Sequence, residues 1–202
     1  MSQGESAERD VDDAAALEAA DRAMARYANG DDAAFREVFS AIGARIHKFL
    51  RRLSGSDEVA RDLFQETLLR LHQARGAFRA GSAVLPWAYT IARNVFLDWE
   101  RARRRAPRRV SIEDSAHEVP VRAEADAELF ARQAAAVVER ALAEMTPARR
   151  DAFVLIRFEG LSVATAAEVL GVSENAVKLR AFQAYGILRD ELARLEKIKA
   201  SR

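Results

Sequence analysis

LSVATAAEVLGVSENAVKLRAFQAYGILR, Leu161 to Arg189, decides the fold of the C-terminal half. Ser162 stands just before an apolar run and has the hydroxyl of a helix N-cap. Ala166 and Ala167 are small enough for a close helix crossing, and Gly171 tolerates the left-handed turn that ends a helix. Val172 plugs the turn, Ser173 caps the next helix, and Ala176 and Val177 face inward. Glu174, Asn175, Lys178 and Arg180 project. A plain structural hairpin does not need the small pair, the glycine and the capping serine in that order. The order is that of a helix-turn-helix, whose second helix lies in the major groove of DNA.

Moving toward the N-terminus, Thr146-Pro147 reads as a cap followed by proline at the first helical position. Ala152 to Phe158 is a buried helix closed by Gly160. Before it, Phe130, Ala134, Val137, Val138, Ala141 and Met145 recur at helical spacing. The stretch from Val110 to Glu128 holds Pro120, six acids and one arginine, and shows no helical period, so it reads as a linker. Pro107 stops the helix before it. That helix, about Leu85 to Arg105, buries Ala88, Ile91, Ala92, Val95, Trp99 and Ala102. Trp87, Thr90, Asn94, Asp98, Arg101 and Arg105 share its other face.

Ala74 to Leu85 is a loop with Gly76 and Gly81. The preceding helix, opened by Ser56, places Val59, Leu63, Thr67, Leu71 and Ala74 on one side. Asp62, Gln65, Glu66, Leu69 and Gln73 lie on the other. An earlier helix, capped by Asp31 or Asp32 after the Asn29-Gly30 turn, runs to about Leu53 and ends at Gly55. Residues 1–24 are alanine-rich and acidic and read as a tail or a frayed helix. No alternating strand pattern occurs, so the expectation is an all-α chain in two small helical domains. The boundaries are 25–106 and 128–197, joined by an acidic linker at 107–127.

At 202 residues, with half of them hydrophobic, the chain can bury real cores. It has no cysteine, which excludes a disulfide framework and cysteine-ligated zinc and suits a reducing cytoplasm. The acidic start lacks a signal-peptide core, and no run of about 18 apolar residues exists to span a membrane. Lys and Arg number 32 against 31 acids, a net charge of +1. That average hides opposed blocks: RARRRAPRR, Arg101 to Arg109, carries six arginines and no acid ahead of the acidic linker. His47, His72 and His117 are scattered and form no metal-binding pair, and no glycine-rich phosphate loop is present. The residues therefore point away from catalysis, from a cofactor and from a metal.

DLFQETLLRLH (Asp62 to His72), PWAYTIARNVFLDWERARRR (Pro86 to Arg105) and MTPARRDAFVLIRFEGLSVATAAEVLGVSENAVKLR (Met145 to Arg180) occur in that order. Together they resemble the extracytoplasmic-function sigma factors of bacterial RNA polymerase, over roughly residues 28 to 195. The resemblance implies a cytoplasmic alternative sigma factor with two partners, core RNA polymerase and promoter DNA. The first domain would bind core and the −10 promoter element, and the second the −35 element. The linker, with Glu113, Asp114, Glu118, Glu124 and Asp126, would thread through the polymerase and mimic RNA there. An anti-sigma factor wedged between the domains is a further partner common in the family, and Leu69 and Phe182 are the apolar residues it would use.

The resemblance also assigns residues. Asp62, Gln65, Glu66 and Leu69 would dock on a coiled coil of the largest polymerase subunit, although composition alone favours a solvated helix face. Asn94, whose amide can donate and accept to a base edge, would read the −10 element. Phe78 and Arg79 of the preceding loop would stack on or clamp an unpaired base. Trp87 shares that face, or is a half-buried core residue. Arg101, Arg104 and Arg105 would neutralise phosphates, or merely complement a helix dipole. Ser173, Glu174, Asn175, Lys178 and Arg180 would meet the −35 duplex. The sequence departs from the family just after, with Phe182-Gln183 where relatives often have His-Arg. The rival reading is a repressor or activator that acts without polymerase; it requires a dimer, for which no heptad seam is present.

Overall fold

The computed structural model describes residues 3–105 and 126–200, all of whose regular structure is helical. Four helices form the first bundle: α1 (Gln3–Ala28), α2 (Phe35–Ser54), α3 (Asp57–Ala74) and α4 (Val84–Arg105). A 3-10 turn, Asp32–Ala34, leads into α2, and Asp31 pairs with Arg26 rather than capping through its side chain. Gly55 closes α2 at φ +70, a conformation that a side chain resists. Ser56 then caps α3 by accepting from the Val59 amide. The core is the sum of the apolar stripes: Val38, Ile42, Ile46, Phe49 and Leu50 from α2, Leu63 and Leu71 from α3, Ala88, Ala92 and Val95 from α4. Thr67 lies within it, and its hydroxyl donates to the Leu63 carbonyl.

Of the two readings of residues 1–24, tail or frayed helix, the described residues take the helical one. Residues 3–28 are helical, and Ala20, Ala23, Met24 and Tyr27 are buried in the bundle core. The alanines and acids of α1 mask a short stripe at helical spacing, through which it packs into the first bundle. The linker expected at 107–127 lies outside the described residues, except that α5 opens at Asp126.

The second bundle contains α5 (Asp126–Glu144), α6 (Pro147–Phe153), α7 (Val163–Leu170) and α8 (Glu174–Ala200). Pro147 stands at the start of α6, as Thr146-Pro147 predicts, though the Thr146 hydroxyl makes no capping bond. The continuation of α6 is a single π turn, Val154–Phe158, ended by Gly160. That wider turn leaves Arg157 and Phe158 outside the core, so Ala152 to Phe158 is buried only through Leu155.

The two bundles are docked, and α4 is the shared wall. One stripe of α4 fills the first core, while Tyr89, Arg93 and Phe96, one helical face by spacing, meet the second bundle. Arg93 Nε donates to Asp151 Oδ2 at 2.8 Å across 58 residues of sequence. Asp151 has no exposed surface, and the Arg150 guanidinium lies 4.8 Å from the centre of the Phe96 ring. Tyr89 donates to Glu159 Oε2 at 2.6 Å, and Arg52 donates to the other oxygen of the same carboxylate at 2.7 Å. The Arg52 guanidinium also covers Phe158, 4.6 Å from the ring centre. Beside this seam, a cavity of about 430 Å³ lies between α2 and α5, lined by Arg51, Arg52, Val138, Leu142, Phe158 and Leu192.

Candidate nucleic-acid interface

The helix-turn-helix forms as the residues dictate. Ser162 accepts from the Thr165 amide at 3.0 Å, and Gly171 takes φ +64. Ala166 is fully buried and Ala167 nearly so, which lets α7 and α8 cross closely. Ser173 accepts from the Ala176 amide at 3.3 Å, so its hydroxyl is engaged in capping α8. Val177 anchors the inner side of α8, leaving Glu174, Asn175 and Lys178 exposed on its first turns. Glu174 and Lys178 form an i,i+4 pair at 3.9 Å. Arg180 is half-buried. Phe182 is 75% exposed and so does not turn to the core, and with Leu179 and Tyr185 it forms an outward apolar stripe. Gln183 accepts from Arg149 at 3.0 Å and is thus tied to α6.

The first domain presents two adjoining faces. On α3, Asp62, Gln65 and Leu69 are exposed, and Glu66 is partly covered. Arg70 binds Glu66 and reaches across to Asp98 of α4, both at 2.7 Å, and Asp98 in turn accepts from Arg101 at 3.2 Å. The hydrogen bond from Arg70 holds the Asp98 carboxyl below its ordinary value. This acid-base ladder fixes the outer faces of α3 and α4 relative to each other.

On α4, Asn94 is exposed one turn ahead of Asp98. Arg101, Arg104 and Arg105 are exposed, with Arg104 bonded to Glu100 at 3.1 Å and Arg103 lying over Trp99. Arg79 is exposed in the loop ahead of α4. Phe78 is not: it is buried, with its ring 5.3 Å from that of Trp87, which is itself half-buried. In this arrangement the Phe78 ring is packed on an aromatic partner and is not offered to solvent.

Sequence reasoning did not find the Tyr89–Arg93–Phe96 face or its partners Asp151 and Glu159. The available signal was that α4 carries apolar residues on more than one side. Burial raises the Asp151 carboxyl above its ordinary range, against the opposing pull of Arg93 and Arg150. Burial, followed by the charge of Glu159, likewise raises the Tyr89 phenol. Among the described residues no cluster of three or more His, Cys, Asp or Glu is placed to hold a metal, and no helix is long and apolar enough to cross a membrane.

With this geometry in place, comparison with known proteins is decisive. The sigma-70 region 2 family model matches residues 38–106, and the sigma-70 region 4 model matches residues 135–188. RNA polymerase sigma factor CarQ of Myxococcus xanthus is 33% identical over 173 residues, covering 86% of this chain and 97% of that protein. The chain belongs to the extracytoplasmic-function sigma factors. ECF RNA polymerase sigma factor SigM of Mycobacterium tuberculosis (strain H37Rv) is 34% identical over 172 residues, 85% of this chain and 82% of that one. The sigma factor RpoE of Bartonella quintana, solved with the anti-sigma factor NepR, superposes with a TM-score of 0.61 at 26% identity. That match covers 79% of this sigma factor and 96% of that chain. In this sigma factor, region 2 is therefore the α2–α4 part of the first bundle, and region 4 spans most of α5 through the helix-turn-helix.

Proposed function

We propose that this sigma factor binds core RNA polymerase through the outer face of α3 and directs initiation by reading two promoter elements with its two domains. Asp62, Gln65, Glu66 and Leu69 form the polymerase-docking face, a short acidic and amide cluster beside an exposed leucine that suits an arginine-rich helical partner. Asn94 reads the −10 element, with Arg79 at the loop and Arg101, Arg104 and Arg105 on phosphates. Glu174, Asn175, Lys178 and Arg180 meet the −35 duplex. The observation that carries this reading is the start of α8: a capped helix, locked from behind by Val177, with Glu174, Asn175 and Lys178 outward.

Centres of −35 and −10 elements lie roughly 25 base pairs apart, or about 85 Å at about 3.4 Å per pair. A docked chain of this length has a radius of gyration of only about 17 Å. The docked bundles therefore part when both elements are read, and polymerase supplies the binding energy. Tethering two weak DNA-reading modules to one enzyme gives them high effective concentration, which offsets the near-neutral charge of the chain.

The test exchanges specificity. Asn94→Ala should relax preference at a −10 position while leaving −35 preference intact, and Asn175→Ala should do the converse. Asp62→Arg should weaken core binding about tenfold without changing either preference. Unchanged preference at both elements in Asn94→Ala and Asn175→Ala, or unaltered core binding in Asp62→Arg, would defeat the assignment.

A further inference from the structure

The loop between α3 and α4 is fastened at both ends to α1, a helix that lies ahead of the residues matched by the region 2 family model. At the far end, α4 has no cap of its own: Ala83, just before it, has no side-chain acceptor. Asp21 of α1 supplies one from 63 residues away, its Oδ1 accepting the first amide of α4, Val84 N–H, at 2.7 Å. A carboxylate is well placed there, because the N-terminus of a helix carries partial positive charge. At the near end, the Tyr27 hydroxyl hydrogen-bonds His72 Nδ1. The Arg75 guanidinium donates to the His72 carbonyl at 2.8 Å and lies 5.7 Å from the centre of the Tyr27 ring. Asp21 and Tyr27 stand six residues apart on α1, with Tyr27 buried and Asp21 half-buried. Between the two fastenings are exposed Arg79 and buried Phe78, whose ring packs on half-buried Trp87 in the first turn of α4.

We infer that Asp21 and Tyr27 are positioning residues for −10 recognition: they hold both ends of the Arg75–Ala83 loop and the first turn of α4, and so set where Arg79 and Asn94 meet DNA. The inference rests on the assignment of the −10 element to α4 and its loop. Neither residue touches DNA. Each acts by restricting a loop that would otherwise pay an ordering cost on binding, since fixing backbone on binding subtracts from the affinity gained.

The experiment uses full-length protein in reconstituted holoenzyme, on a promoter obtained by mapping wild-type start sites. Initiation is compared between that promoter and versions with single changes in the −10 or the −35 element. Asp21→Ala and Tyr27→Phe should each compress discrimination at the −10 element by about fivefold, the low end of what one read base pair contributes. Discrimination at the −35 element and competition for core polymerase should stay at wild-type level. Asp21→Asn, whose amide oxygen can still accept from Val84, should recover most of the loss. Unchanged −10 discrimination in Asp21→Ala would overturn the inference. So would a parallel loss of core binding and −35 discrimination, which marks a merely structural role, or Asp21→Asn as impaired as Asp21→Ala. Wild-type protein that yields no specific start sites would instead defeat the underlying −10 assignment.

Discussion

Arg93→Ala should undock the two domains. Asp151 has no exposed surface, and Arg93, whose side chain is 18% exposed, is the group that hydrogen-bonds it. The second cation, Arg150, stands 3.7 Å from the other carboxylate oxygen, and that oxygen and two of the Arg150 nitrogens lack hydrogen-bond partners. Arg150 can therefore moderate the charge but not replace the bond. Removing one partner of a buried pair costs about 3–5 kcal/mol. The moderating cation argues for the lower end, and about 3 kcal/mol changes the ratio of docked to undocked chains roughly a hundredfold. Because the chain has no cysteine, dyes can be placed at will by Ser40→Cys in the first domain and Asp190→Cys in the second. Single-molecule energy transfer then reads the docked fraction directly. Arg93→Ala should lower it, and Arg93→Ala with Asp151→Asn should recover at least about 1 kcal/mol, because the stranded carboxylate is gone. Identical docked fractions in wild type and Arg93→Ala, or strictly additive effects in the double variant, would refute the argument.

Three further outcomes follow from individual contacts. Burial raises the Tyr89 phenol above its ordinary 10.0, so its contribution to docking is intact below pH 10.0 and is lost as pH climbs through the folded-state value. The same dye pair should show undocking in strong alkali that Tyr89→Phe reduces, and an unchanged alkaline transition in that variant would count against the Tyr89–Glu159 contact. Gly171→Ala meets no neighbouring atom but must hold φ +64, so it should cost about 1 kcal/mol in denaturant unfolding of the second domain. An unshifted midpoint would show that the turn relaxes. Lys178→Gln should reduce the slope of log affinity against log salt for −35 duplex by about 0.9, one phosphate contact; an unaltered slope would remove Lys178 from the interface.

Much of the fold was legible because its signals are local. Ser162, Gly171 and Ser173 act on amides and dihedrals within their own turns, so the helix-turn-helix can be read from a dozen residues. The core stripes of α2 and α3 and the closure at Gly55 are equally short-range. What escaped the sequence depends on distant partners. Asp21 gives no hint that it caps a helix 63 positions later, and Arg93 looks like any arginine on an amphipathic helix until Asp151 is opposite it. Phe78 belongs with these: an aromatic in a loop beside a basic residue reads as a base-stacking group, and its packing on Trp87 has no local sequence signal. The burial of α1 escaped for the opposite reason, since Ala20 and Ala23 carry too little apolar weight to announce a buried stripe.

Transcription by sigma-free core RNA polymerase on fragmented DNA from the source genome shows whether this chain gives polymerase a promoter specificity. With the protein added, discrete new start sites should appear, sharing two upstream elements at a fixed spacing. No new starts, together with a sharp footprint by the protein alone, would contradict the account and leave a helix-turn-helix regulator that works without polymerase.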